Sequence, residues 1–179
     1  MIPLRLQDIS PKTEILTVDD KRQAEFLHLK TELIDFKKID LKELQRVGKI
    51  MRTIMKRARG IGLSANQIGL NLRFFVAEVP AEGGGRPKFY SVINPTLRLD
   101  KETKDLDEGC LSVIGATGLV TRSAKVTLSG FDLKGKPIRI KGGQGHVGKL
   151  SQRLAGKIVK IQILNRFLIA DIKQLLAVR

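Results

Sequence analysis

The chain has 179 residues, of which 42% are apolar and 28% charged, and this length and composition predict one globular domain with one core rather than two domains. Its single cysteine excludes an internal disulfide. Lysine and arginine number 33 against 18 acidic residues, and the resulting formal net charge of +15 attracts polyanions such as RNA.

The sequence offers no candidate for a membrane span or a secretory signal. It contains no run of eighteen apolar residues, and its first ten residues, MIPLRLQDIS, are too polar for the apolar part of a signal peptide. We therefore expect a cytoplasmic protein without a membrane partner.

The N-terminal third predicts an arm followed by helices. Residues 1–39 are expected to form an extended arm, which contains Pro3 and Pro11, and a first helix. From Asp40, the segment DLKELQRVGKIMRTIMKRA carries apolar residues at steps of three and four, which predicts an amphipathic helix. Asp40 is its predicted N-cap and Gly60 its predicted stop. Packing against the core is the simplest role for such a helix.

The segment GIGLSANQIGL, from Gly60 to Leu70, is rich in small residues that let backbone approach a neighbour closely. Gln67 adds a side chain that both donates and accepts hydrogen bonds. A dinucleotide fingerprint is excluded because the glycine spacing fails at Ala65, and a phosphate-binding loop is excluded because no Gly-Lys-Ser/Thr follows. Spacing alone leaves a tight turn and a ligand-binding segment both open.

Four later segments predict strands. RFFVAEV, residues 73–79, is one strand, and KFYSVINP is a second strand that Asn94 and Pro95 are expected to end. Alternation over residues 125–129 and 137–141 predicts an antiparallel pair joined by a turn at Lys134-Gly135-Lys136. Helix, then strands, then helix predicts an α+β fold.

The C-terminal segment is basic. Helical spacing of apolar residues returns from Lys149. From Lys141 to the end, eight lysines and arginines face one acid, Asp171. A solvated basic face and a surface for ribosomal RNA both explain this excess, and the second predicts association that weakens steeply with salt.

The segment DEGCLSV, residues 107–113, holds the only cysteine, Cys110. A lone thiol can be structural, reactive or a metal ligand. A reactive thiol needs a base beside it, and the sequence shows no Cys/His pattern that assigns one.

Three segments in order, GIGLSANQIG, VINP and DEGCLSV, resemble the motifs of the peptide deformylase family. The resemblance runs from near Asp40 through KVTLSGFDLKGKP. It implies a single deformylase-like α+β domain over residues 1–179, with antiparallel sheets packed around helices. Residues 1–39 would be the arm and first helix, 40–141 the best-matching core, and 142–179 a divergent basic segment.

The resemblance also implies chemistry. Peptide deformylases are metal-dependent hydrolases that remove the formyl group from the N-terminal formyl-methionine of nascent polypeptides. Carried over, Cys110 would be a thiolate ligand of a divalent metal, usually iron(II), with zinc or nickel as alternatives. Gln67 and the backbone N–H of Leu111 would donate to the formyl oxygen as it gains charge, while Gly62 and Gly109 would let the substrate backbone lie close.

The family's third motif is missing. Deformylases take two more metal ligands and the general base from a His-Glu-x-x-His helix, in which residues four apart share a face. This chain has two histidines, His28 and His146, and they are not four residues apart. We expect His28 to be structural, and His146 is a candidate substitute ligand. Deformylase activity is therefore expected to be impaired or absent.

Two alignments place the lost motif differently. If RLAGKIV matches the end of the family's motif, the ligand positions fall on Lys149 and Arg153, with Leu150 in place of the glutamate. If LAGKIVKIQ matches the lead-in to that helix, they fall on Ile161 and Asn165, with Gln162 as the base. Neither set is a metal site, because lysine and arginine repel cations and isoleucine has no donor.

The glycine-rich tract GGQGHVGKLSQ has two explanations, a disturbed reading frame or true divergence. The sequence is compatible with three functions: a deformylase of unusual design, a non-catalytic module that binds nascent chains or ribosomal RNA, and a metal-free cysteine enzyme.

Overall fold

A computed structural model describes residues 3–79 and 85–142 of the chain. Several sequence predictions lie outside these residues: the C-terminal helix from Lys149, the basic segment beyond residue 142, the candidate ligand His146 and both placements of the third motif. Of the segment AEGGGRP, which lies between the first two predicted strands, the structure describes residues 85–87.

Two α-helices precede the strands. Helix α1 spans Lys21–Leu27 and helix α2 spans Leu41–Arg57. The predicted N-cap of α2 is confirmed, because the Asp40 carboxylate accepts the backbone N–H of Lys42 at 2.8 Å. The apolar stripe faces inward as the spacing predicts. Its buried residues are Leu44, Val47, Ile50, Met51, Ile54 and Met55.

The predicted stop of α2 at Gly60 is wrong. The helix ends at Arg57, and Arg59 takes the left-handed conformation, with φ of 52°. The N–H of Arg59 donates to the carbonyl of Lys56, and the N–H of Gly60 donates to that of Met55, both at 2.9 Å. This pair of bonds is a Schellman motif, which satisfies the last carbonyls of the helix without a glycine at the left-handed position.

In the described part of the chain, seven strands form two antiparallel sheets, and the predicted α+β class is confirmed. A five-stranded sheet has the order β1-β2-β3-β6-β7, and β4 and β5 form a separate two-stranded sheet. The strands are β1 Gly62–Ser64, β2 Phe74–Val79, β3 Lys88–Leu99, β4 Thr103–Cys110, β5 Val113–Ser123, β6 Val126–Phe131 and β7 Pro137–Gly142.

Strand β2 and the pair of β6 and β7 agree with the sequence predictions, but the predicted end of the second strand is wrong. Strand β3 continues past Asn94 and Pro95 because a bulge between Ile93 and Thr96 absorbs both residues. Asn94 lies in the left-handed region, with φ of 49°. On the facing strand, a Cβ at Gly130 would lie 2.8 Å from the carbonyl oxygen of Ile93. Glycine there lets the two strands pass closely at the bulge.

Strand β2 is apolar except for Glu78 because both faces of the sheet are buried around it. Phe74 and Val76 belong to the larger core, which includes the apolar face of α2. Phe75 and Ala77 belong to a second cluster, together with Leu128. Successive side chains of a strand point to opposite faces, so the run FFVAEV supplies both clusters.

The predicted N-terminal arm is largely extended and contains one short 3₁₀ turn, Leu6–Asp8. Two arginines of α2 hold it. Arg46 donates to the carbonyls of Leu6 and Ile9 at 2.7 and 2.8 Å. Arg57 donates to the carbonyls of Pro11 and Thr13 at 2.6 and 3.0 Å. The arm is therefore bonded to the helix by guanidinium groups along its length.

Across the described ranges, none of the helices has the length and apolar character that a bilayer crossing requires.

Glu78, at the end of β2, is expected to make stability depend on pH. Its carboxylate lies 2.8 Å from Arg52 and 3.2 Å from Lys56. The hydrogen bond from Arg52, followed by that from Lys56, holds the pKa of Glu78 below its ordinary value of 4.5. A lowered folded-state pKa stabilises the protein above the unfolded pKa, and this contribution disappears as the pH falls through the folded value.

We expect wild type to exceed Glu78→Gln in free energy of unfolding at pH 7, and we expect the difference to shrink below about pH 4.5. Urea denaturation of both proteins between pH 3 and 7 measures this difference in free energy of unfolding. The matched control is Glu102→Gln, whose exposed carboxylate lies 3.7 Å from Lys125 and should contribute little. A Glu78 difference that stays constant over the whole range would contradict the prediction.

Candidate functional site

The site begins where α2 gives way to the glycine-rich segment. Strand β1 leads into a 3₁₀ turn, Ala65–Ile68, which ends at Gly69 with φ of 86°. A left-handed residue at this position favours glycine. Gln67 lies in the turn, and its side chain is buried, with 6% of the residue exposed.

The carboxamide of Gln67 is held at both ends. The backbone N–H of Ser64 donates to its Oε1 at 3.0 Å. Its Nε2 donates to the Oγ of Ser112 at 3.0 Å. Because a backbone N–H can only donate, Oε1 must face Ser64, and Nε2 therefore faces Ser112. The orientation of the amide follows from these partners.

The cysteine segment lies at the tip of a hairpin that the sequence prediction missed. Strands β4 and β5 pair from Thr103 with Ser123 to Cys110 with Val113, so that Leu111 and Ser112 form the turn. The register shifts between Gly109 and Cys110. Apolar and polar residues alternate only weakly in this region, so periodicity did not predict the hairpin. A two-residue turn between two antiparallel strands defines it as a β-hairpin.

Two contacts join the hairpin tip to the glycine-rich segment. Gln67 bonds to Ser112, and Leu111 packs against Gly60, where a Cβ would lie 2.6 Å from Leu111 Cδ1. A side chain at position 60 would make the end of the Leu111 side chain shift, so glycine there allows the close approach of Leu111. The prediction of Gly60 as a helix stop did not include this contact. These contacts bring the backbone of Leu111 and the side chain of Gln67 into one site.

The remaining sequence-predicted residues lie around this junction. Cys110 is half-buried and directly precedes Leu111. Gly62 is buried on β1, opposite Ala77 of β2. Gly109 is exposed at the end of β4. The roles assigned to these residues remain predictions.

The N-terminal arm also reaches the site, which sequence reasoning did not predict. The N–H of Leu16 donates to the carbonyl of Gln67 at 2.8 Å, and the N–H of Val18 donates to the carbonyl of Ser112 at 2.9 Å. One extended stretch thus bonds to both halves of the site. The segment EILTV, residues 14–18, contains the apolar residues Ile15, Leu16 and Val18 and is a weak local signal of this strand-like contact.

His28 sits at the C-terminal cap of α1, where its Nδ1 contacts the carbonyl oxygen of Ala24. A side chain bonded to its own helix end has the structural role expected for it.

The described residues do not fit a hydrolytic metal centre. Within residues 3–79 and 85–142, no three side chains of His, Cys, Asp or Glu cluster closely enough to hold an ion. A hydrolytic zinc centre normally takes three protein ligands and keeps one position open. Cys110 supplies one candidate donor, and the candidate His146 lies outside the described residues.

Comparison with known proteins identifies peptide deformylases as relatives of this chain. The polypeptide deformylase family model matches residues 12–153. A peptide deformylase of Halothermothrix orenii is 40% identical over 104 residues, which are 58% of this chain and 64% of that protein. One from Chloroflexus aurantiacus is 33% identical over 138 residues, which are 71% and 72% of the two chains.

Coverage differs among the relatives. The match with the Acidothermus cellulolyticus peptide deformylase, like that with the Halothermothrix protein, spans less than two thirds of the relative, here 53%.

Solved structures agree on the fold. The probable peptide deformylase of Synechococcus phage S-SSM7 is 28% identical, with a TM-score of 0.71 that covers 89% of this chain and 99% of the phage chain. The Legionella pneumophila peptide deformylase is 29% identical, with a TM-score of 0.68, and the similarity covers 93% and 98% of the two chains.

Proposed function

Because this chain belongs to the peptide deformylase family, we propose that it recognises the formyl-methionine end of nascent polypeptides and that its hydrolysis of the formamide bond is impaired or absent. The family acts on N-formyl peptides. The two halves of the proposal depend on different residues.

Recognition is supported by the arrangement around Gln67. Its Nε2 carries two hydrogens, and Ser112 takes one of them. The second hydrogen and the backbone N–H of Leu111 are the proposed donors to the formyl oxygen. Donors that are already oriented before the ligand arrives stabilise a developing oxyanion most effectively. Gly62 and Gly109 are the proposed positions at which the peptide backbone lies close.

One observation carries the proposed loss of hydrolysis: the sequence lacks the His-Glu-x-x-His segment. Its two histidines, His28 and His146, cannot form that motif, and no other segment supplies the glutamate base in that setting. A family metal, iron(II) or zinc or nickel, would have the Cys110 thiolate as its one recognisable ligand. One thiolate is too few for a hydrolytic centre.

The test is metal content by elemental analysis, before and after anaerobic iron loading, together with a formyl-Met-Ala-Ser hydrolysis assay. We expect substoichiometric metal and turnover at least about 10³-fold below that of a deformylase with the complete motif, because a general base alone contributes about 10²–10⁴-fold. The positive control is such a deformylase, assayed under the same conditions.

Stoichiometric metal with turnover would overturn the proposed loss of hydrolysis. Cys110→Ser and His146→Ala would then identify the ligands, since loss of the bound metal in either variant marks that residue.

The alternative function is a non-catalytic module that binds nascent chains or ribosomal RNA through residues 142–179. The observation that favours it is the charge of that segment, which holds seven basic residues and one acid. A cytoplasmic location and a single domain over residues 1–179 belong to both proposals.

A further inference from the structure

We propose that Ser112 is a positioning residue that sets the orientation of the Gln67 carboxamide and thereby the preference for formylated peptides. The inference rests on the proposed recognition of formyl-methionine and deepens it. It concerns a side chain outside the residues assigned above to substrate, because Ser112 acts through Gln67.

The side-chain amide of Gln67 is hydrogen-bonded at both ends. Oε1 is taken by the N–H of Ser64 and one hydrogen of Nε2 by the hydroxyl of Ser112, both at 3.0 Å. Two bonds at opposite ends of a planar amide fix its rotation about the terminal torsion, which is otherwise broad. The second N–H of Nε2 is then held in one direction.

Gln67 and Ser112 are both buried. Gln67 is 6% exposed and Ser112 4% exposed, so water does not readily replace either partner. A buried donor that loses its acceptor must turn or remain unsatisfied. In Ser112→Ala, the bond from the Ser64 N–H would still hold Oε1 of Gln67. Nε2 would lose its partner, and the amide would rotate more freely about the terminal torsion.

The backbone of Ser112 is itself held in place. Ser112 lies in the two-residue turn between β4 and β5, and its carbonyl accepts the N–H of Val18 at 2.9 Å. The carbonyl of Gln67 accepts the N–H of Leu16 from the same stretch of the arm at 2.8 Å. The arm therefore fixes the two backbones relative to each other, and the hydroxyl completes the link through the side chains.

The experiment compares binding of formyl-Met-Ala-Ser and Met-Ala-Ser by the full chain, by calorimetry, for wild type, Ser112→Ala and Ser112→Thr. We expect wild type to prefer the formylated peptide and Ser112→Ala to reduce the ratio of the two dissociation constants by about five- to tenfold, the equivalent of one neutral hydrogen bond. Ser112→Thr keeps the hydroxyl and should restore the ratio. A general loss of structure would weaken both peptides alike.

A second readout is the side-chain amide of Gln67 in ¹⁵N-labelled protein. Its two protons should exchange with solvent faster in Ser112→Ala than in wild type, while the amide of Gln45 on α2 should not change. Wild type could prefer the formylated peptide while Ser112→Ala keeps the same ratio of dissociation constants within about twofold, which is less than the effect of one hydrogen bond. That result would overturn the positioning role and leave the proposed function standing.

If wild type does not distinguish the peptides, the proposed recognition fails. The amide exchange then decides the role of Ser112 alone, and an unchanged rate would overturn it.

Discussion

Replacing Gln67 by alanine is expected to lower the free energy of unfolding by about 3 kcal/mol and to abolish any preference for formylated peptides. The substitution leaves the N–H of Ser64 and the hydroxyl of Ser112 without their partner, and both residues are buried. It also removes the proposed donor to the formyl oxygen. Urea denaturation measures the first effect, and calorimetry with the two tripeptides measures the second.

Two control variants separate these effects. Gln67→Glu can accept from Ser64 and from the Ser112 hydroxyl, which is free to rotate, but it has no N–H for the formyl oxygen, so preference should be lost while the fold is retained. Gln45→Ala removes one hydrogen bond, to the carbonyl of Leu133 at 3.2 Å, and should leave the preference unchanged. A Gln67→Glu protein that still prefers the formylated peptide would exclude Gln67 as the donor.

Replacing Asn94 by alanine is expected to lower the free energy of unfolding by about 3 kcal/mol without changing peptide preference. The Asn94 amide accepts the N–H of Ile34 and donates to its carbonyl, each at 2.9 Å. Alanine loses both bonds and must also adopt the left-handed conformation, with φ of 49°. Denaturation curves of the variant and wild type test the loss.

Asn94→Gly separates the two causes, because glycine adopts a positive φ without strain but makes no side-chain bond. We expect the glycine variant to be more stable than the alanine variant by about 1 kcal/mol and less stable than wild type. Equal stability of wild type and both variants would show that the bonds to Ile34 contribute nothing. Asn94→Asp keeps an acceptor for the Ile34 N–H, so its free energy of unfolding should lie between those of wild type and Asn94→Gly.

Part of the fold could be predicted because it depends on neighbours in the sequence. The cap at Asp40 is formed with Lys42, and the stripe of α2 repeats every three to four residues. The prediction for the end of α2 was wrong because a glycine near a helix end can have more than one role. Arg59 takes the left-handed position that glycine usually occupies. Gly60 instead lies against Leu111, which is distant in the sequence.

The candidate site divides in the same way. Gln67, Leu111 and Cys110 could be named from their motifs, but the sequence did not predict that Ser112 holds Gln67. That bond joins residues 45 positions apart. The bonds from Leu16 and Val18 to the two halves of the site are equally non-local. Contacts of this kind depend on how the arm, β1 and the hairpin pack, which periodicity does not encode.

The sequence by itself determined the family motifs, the excess of basic residues and the absence of a His-Glu-x-x-His segment, because these are properties of residue identity and spacing. Only the tertiary structure decided that residues 16–18, Gln67 and the 110–113 turn meet. It also decided that β3 continues through a bulge supported by Asn94 and Ile34. The physical reason is that a hydrogen bond between distant segments forms only when packing has already brought their backbones within reach.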